Sequence, residues 1–153
     1  MDPFSGVASA IAVIQISEEV CALLKEYISS VAHAKGDIRR LREEVLTLQS
    51  IFRMVEDLRD QPESGKLEVL DLLAKPGGLI QRCLEDLRDL ASKLNPGDGP
   101  TAMRRVGVRA LKWPFAIKDV ESRILILERY KTIFNMALSA GNTYVLNLFL
   151  FRC

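Results

Sequence analysis

The sequence predicts an all-α protein, an antiparallel helical bundle of four to five main helices, and three observations carry that reading. Apolar residues recur at intervals of three and four along most of the chain, which gathers them on one side of a helix. Proline and glycine cluster at Gln61-Pro62, Pro76-Gly77-Gly78 and Asn95-Pro96-Gly97-Asp98-Gly99-Pro100, cutting the pattern into helix-length pieces. Strand-like alternation of apolar and polar residues is not sustained anywhere before residue 143.

The first helix is expected to open with Asp2 as N-cap and Pro3 at the first helical position, a favourable pairing. Its apolar positions are Phe4, Val7, Ile11, Ile14, Leu24, Ile28 and Val31, with Val13, Ile16, Val20 and Leu23 beside them, and Gly36 is the expected stop. Such a helix would be roughly 45–50 Å long. From Phe4 to Ser17 there is no charged side chain. A secretory leader would carry positive charge before its apolar core, and a span needs about 20 apolar residues. The stretch therefore reads as part of the fold, neither a removed leader nor an anchor.

In the second helix Ile38, Leu41, Val45, Leu48, Phe52 and Val55 form a seam, with Arg39, Arg40, Arg42, Glu43 and Glu44 outside it. Asp37 is its expected N-cap, and it should stop near Gln61-Pro62 because the residue before proline disfavours helix. Leu67, Leu70 and Leu73 open another stripe, which Pro76-Gly77-Gly78 interrupts and Leu79, Ile80, Cys83, Leu84, Leu87, Leu90, Ala91 and Leu94 resume. This is two helices, or one sharply broken, since proline costs about 3 kcal/mol and each glycine about 1 inside a continuous helix. After the loop at 95–100, Ala102 to Lys112 are expected to form a short helix halted by Trp113-Pro114.

The last strong helix should run from about Phe115 to Ala140. Its seam is Val120, Ile124, Leu127, Lys131, Phe134 and Leu138, flanked by Ile117, Tyr130, Ile133 and Ala137. Lys131 occupies a core-like slot, so the stripe must bend around it through Tyr130. Gly141-Asn142 is the expected stop. Residues 1–140 thus read as one bundle, and 141–153 as an apolar tail, helix or strand.

A chain of 153 residues suits one domain, and an apolar fraction of 48% with 27% charged residues is ordinary for a globular one. The net charge of +1 gives no global attraction to nucleic acid, and none is expected as a partner. Cys21, Cys83 and Cys153 are too widely spaced for a zinc site or a disulfide framework. Cys21 and Cys83 fall in apolar stripes and read as small buried hydrophobes in a reducing, cytoplasmic compartment. The one histidine, His33, has no nearby Cys or Asp partner and reads as a surface or capping residue.

Hydrolase, zinc-protease and phosphate-wrapping motifs are all missing. Glu43, Glu44, Asp57 and Asp60 lie among arginines on what should be solvated faces. No catalytic, cofactor-binding or metal-ligating residue is assigned, no small-molecule substrate is expected, and the expectation is a protein that is not an enzyme.

Two features suggest a role. The uncharged segment from Phe4 to Ile16 would suit lipid on almost every face, with Phe4, Val7, Ile11 and Ile14 as its membrane-binding residues. The competing reading is a helix buried centrally in its own bundle. The second feature is the acid-free stretch from Gly99 to Lys118, with Arg104, Arg105, Arg109, Lys112 and Trp113 suited to an anionic membrane surface. Its competing reading is a set of arginines facing acidic neighbouring helices. A purely protein-binding adaptor, which pairs with itself or with partner helices, is the alternative to the membrane role.

Leu111-Lys112-Trp113-Pro114-Phe115, then Asp119-Val120-Glu121 and Leu127-Glu128-Arg129-Tyr130-Lys131, resemble the N-terminal domain of fungal NLR-type receptors. That domain is also described as HeLo-like, or as the fungal N-terminal domain of azaphilone-cluster proteins. The opening Met1-Asp2-Pro3-Phe4-Ser5-Gly6-Val7-Ala8 and the seam from Ile38 to Leu58 fit the same pattern, so the resemblance covers roughly residues 1–140. It implies an all-α bundle, usually placed before a nucleotide-binding oligomerisation domain. It also implies regulated cell death, in which a cytoplasmic domain relocates to the membrane and the helix from Phe4 to Ile16 is released into the bilayer. No nucleotide-binding domain follows in this chain, and Asn142 to Cys153 depart from the polar continuation expected of that family.

Overall fold

The computed structural model describes residues 5–31, 33–57, 73, 75, 77–95 and 113–140. Those residues are 89% helical, in four helices and without a strand, which is the all-α class the spacing predicts. The helices are α1 (Ser5–Ser30), α2 (Lys35–Asp57), α3 (Leu79–Leu94) and α4 (Ile117–Ala140). The expected second-helix end near Gln61-Pro62, the helix at 102–112 and the tail at 141–153 lie outside the described residues, as do Asp2, Pro3 and Cys153.

Packing runs in the order α3, α1, α2, α4: α1 lies against α2 and α3, α2 lies against α4, and α3 barely meets α4. Cross-helix contacts give the directions. The Tyr27 hydroxyl near the end of α1 donates to the Leu94 carbonyl at the end of α3, at 2.8 Å, so these two helices run parallel. Arg40 meets Glu121 at 2.7 Å, which sets the starts of α2 and α4 side by side. Glu18 meets Arg53 at 3.0 Å, and the two helices of that hairpin, α1 and α2, are antiparallel. Among the described residues the four helices therefore alternate in direction in chain order, yet α3 packs on α1 rather than on α2.

The α1–α2 turn differs from expectation. α1 ends at Ser30, not at Gly36, and at 1.5 Å per residue is about 39 Å long. The Ser29 hydroxyl donates to the Lys25 carbonyl, a local bond that competes with helix continuation. Val31 turns into the core at 5% exposure, its N–H closing the last turn on the Tyr27 carbonyl. Ala34 then takes φ 66°, the left-handed conformation usually left to glycine, and its carbonyl accepts the Ile38 N–H to start α2. Gly36 and Asp37 sit within the first turn of α2, so Asp37 is not its cap.

The α2 seam is buried throughout, as are the α3 positions from Leu79 to Leu94 named above. Cys21 and Cys83 are buried among them, and burial pushes both thiols up from their ordinary range. In α4 the stripe bends at Lys131 as its sequence requires. Tyr130 is buried, and its hydroxyl donates to Asp86 at 2.6 Å, while Lys131 leans out to Glu44 at 3.2 Å. Glu44 is thus partly buried and paired across helices, not a freely solvated carboxylate. Ile117 does not flank the buried seam either: as the first residue of α4 it is 71% exposed.

Candidate interaction surfaces

The first half of α1 carries the residues that sequence reasoning assigned to membranes. Ala10 and Val13 are fully buried and Ile14 is 6% exposed, whereas Ile11 is partly exposed and Ala8 and Gln15 face solvent. The Ser17 hydroxyl, also fully buried, donates to the Ile14 carbonyl at 2.8 Å and so needs no partner from another helix. Among the described residues, no side-chain hydrogen bond or ion pair ties residues 8–16 to another helix. Apolar packing alone holds them. The tethers of α1 come later, at Glu18–Arg53 and Tyr27–Leu94. Phe4 and the side chain of Val7 lie outside the described residues.

Trp113 is placed far from that segment. Its ring meets Tyr27 edge-on at 5.3 Å and Phe115 at 5.2 Å, and the Arg123 guanidinium lies 4.9 Å over the Phe115 ring. These contacts make Trp113 a partly buried cover over the end of α1. From Ile14 to Tyr27 is about 20 Å along the helix, so Ile11 and Ile14 do not share a surface patch with Trp113. Arg104, Arg105, Arg109 and Lys112 lie outside the described residues.

Two surfaces escaped sequence reasoning. The weak α3–α4 contact leaves a groove of about 500 Å³ lined by Asp86, Asp89, Lys93, Phe115, Arg123 and Ile126. Beside it the outer face of α4 exposes Leu125 at 63%, Ile126 at 40% and Met136 at 42%, in addition to Ile117. The signal was present in Ile124-Leu125-Ile126-Leu127, four apolar residues in a row, which one helical stripe cannot absorb.

Asp89 sits between Arg123 at 3.0 Å and Lys93 at 3.2 Å. The Arg123 hydrogen bond, helped by Lys93, holds its carboxyl below the ordinary value of 3.8. A lowered folded-state pKa stabilises the fold above the ordinary carboxylate range and loses that contribution as pH falls through the folded value. Carboxyl NMR titration should therefore find Asp89 below 3.8, and Arg123→Gln should return it toward that value. An unshifted Asp89 would show the bridge to be absent in solution.

Among the described residues no helix is long and apolar enough to cross a membrane, and no three His, Cys, Asp or Glu side chains converge as a metal site. The fold and these surfaces define a class: an all-α helical bundle with an apolar first helix and a groove between α3 and α4. Residues 1–145 match the family described as pigment biosynthesis cluster protein PigL N-terminal, and the chain belongs to that family. No curated protein and no solved structure matches it.

Proposed function

We propose that this bundle is a non-catalytic, cytoplasmic signalling domain that acts at an anionic membrane surface by releasing the first half of α1. The role is the one implied by its resemblance to the N-terminal effectors of fungal NLR-type receptors, whose signalling ends in cell death. The supporting observation is that residues 8–16, uncharged throughout, pack by apolar contacts alone. Such contacts are non-directional, and lipid can replace them at comparable free energy, whereas a buried ion pair could not be transferred so cheaply. The released segment lies along the interface and does not span it, consistent with its length.

Permeabilisation of anionic vesicles by the purified chain is the test. Ile11→Lys is the informative variant, because Ile11 is only partly buried and a lysine there can reach solvent in the folded bundle. Leakage should fall at least tenfold while circular dichroism stays unchanged. Ile14→Lys is unsuitable, since it places a charge at a 6% exposed core position and unfolds the bundle itself. Undiminished leakage by folded Ile11→Lys removes this reading.

A second reading, a protein-binding or self-associating adaptor, is favoured by the exposed apolar face of α4. It is the one to adopt if the chain associates with increasing concentration and leaves vesicles intact.

A further inference from the structure

Between α1 and α2, on the side of the hairpin near its turn, lies a cavity of about 380 Å³ lined by Lys25, Ile28, Ser29, Arg39, Arg42 and Glu43. Three of those six side chains are cationic, and one is acidic. Among the described residues none of the three cations forms an ion pair or a side-chain hydrogen bond, although arginines elsewhere on the same helix do, Arg40 with Glu121 and Arg53 with Glu18. Arg42 is the most constrained of them: its Nε is buried and has no hydrogen-bond partner. A buried guanidinium N–H without an acceptor is costly, and native structures rarely leave one in that state.

We propose that this cavity binds a phosphate group, with Arg42 and Arg39 donating to its oxygens and Lys25 supplying the third charge. A guanidinium presents paired N–H groups in a plane that matches two phosphate oxygens, and two such side chains on one helix, three residues apart, face the same way. Lys25 reaches in from the opposite helix as a point charge. The Ser29 hydroxyl is committed to the Lys25 carbonyl at 3.2 Å, and it steadies the wall and not the ligand. Glu43 offsets one of the three charges, leaving a net attraction suited to an anion that carries more than one negative charge. The site lies clear of both the α3–α4 groove and the α1 segment proposed for membranes.

The anion has two sources of the same chemistry, a soluble phosphate or the phosphorylated headgroup of a lipid. The test is NMR titration of the full chain with inorganic phosphate, then with a soluble inositol phosphate, paired with sedimentation on phosphatidylcholine vesicles with and without a phosphoinositide. Amide shifts should concentrate at residues 25–29 and 39–43. Arg39→Gln, exposed and safe for folding, should weaken binding about tenfold, as expected for one charge-assisted hydrogen bond. Arg42→Gln should do at least as much, and Arg88→Gln on α3 should do nothing. Binding of soluble ligands and vesicles alike assigns the site to phosphate as such. Binding of phosphoinositide vesicles alone, still lost in Arg39→Gln, assigns it to a headgroup. No binding in either arm, or equal weakening by Arg88→Gln, overturns the proposal.

Discussion

Phe52→Ala is expected to destabilise the bundle by about 3–5 kcal/mol, the range for truncating a buried phenylalanine. Phe52 is 1% exposed in the last third of α2, and its ring meets Phe134 of α4 edge-to-face at 5.0 Å. Phe134, 2% exposed, in turn stacks on Tyr130 at 6.0 Å. This aromatic column joins α2 to α4 through buried apolar contact, whereas α3 meets α4 chiefly through the polar pairs Asp86–Tyr130 and Asp89–Arg123. Because whole domains are stable by only about 5–15 kcal/mol, a loss of this size exposes a large unfolded fraction. Urea denaturation checks it, with Phe52→Leu as the volume-conserving control at under about 1.5 kcal/mol. A cycle with Phe134→Ala should show coupling of about 0.5–1.5 kcal/mol; additive losses would mean that the rings do not act as a pair.

How legible the fold was depended on how one-sided each helix is. In α2 and α3 the apolar residues make a single stripe with charges opposite, so spacing alone identified the buried set. In α4 spacing also found the buried set, Val120, Ile124, Leu127, Phe134 and Leu138, and erred only at Ile117, whereas α1 carries apolar residues on more than one face. There Ile11 and Ile28, placed on the main stripe, are partly exposed, while Val13 and Val20, placed beside it, are fully buried. The α1–α2 turn was misplaced because glycine is the usual left-handed residue, whereas here Ala34 takes that conformation as Val31 tucks into the core.

The candidate sites were less legible because they depend on helix pairing. Arg39 and Arg42 read as solvated surface until the hairpin brings Lys25 beside them across a shared cavity. The choice of α1 over α2 as the neighbour of α3 leaves the α3–α4 side open, and no local pattern encodes it. Periodicity did identify the apolar first helix, and of its two readings the central position in the bundle is the one the packing of α1 against both α2 and α3 agrees with, although spacing could not name those neighbours.

Gly78→Ala should cost about 1–3 kcal/mol, the range for forcing atoms into filled space. The reason is not backbone freedom, since Gly78 has φ −79° and ψ −177°, which any residue adopts. It is room: a Cβ there would stand 2.7 Å from the Leu73 carbonyl oxygen and 2.8 Å from that of Lys75. Both obstacles are backbone atoms and cannot rotate aside as a side chain would. The Lys75 oxygen also accepts the Gly78 N–H at 2.7 Å, and the Gly78 oxygen accepts the Arg82 N–H that opens α3. Relief must therefore loosen the start of α3 or withdraw Leu73, which is 1% exposed, from the core. Gly77 offers the opposite case, with open space around its would-be Cβ but φ +76°, so Gly77→Ala should cost about 1–2 kcal/mol through conformation alone. Urea denaturation of Leu73→Ala in each background separates the two causes. The Gly78 and Leu73 losses should fall short of their sum, because alanine at 78 has already displaced Leu73, while the Gly77 and Leu73 losses should add. Simple additivity at Gly78 would mean that the strain escapes into α3 instead.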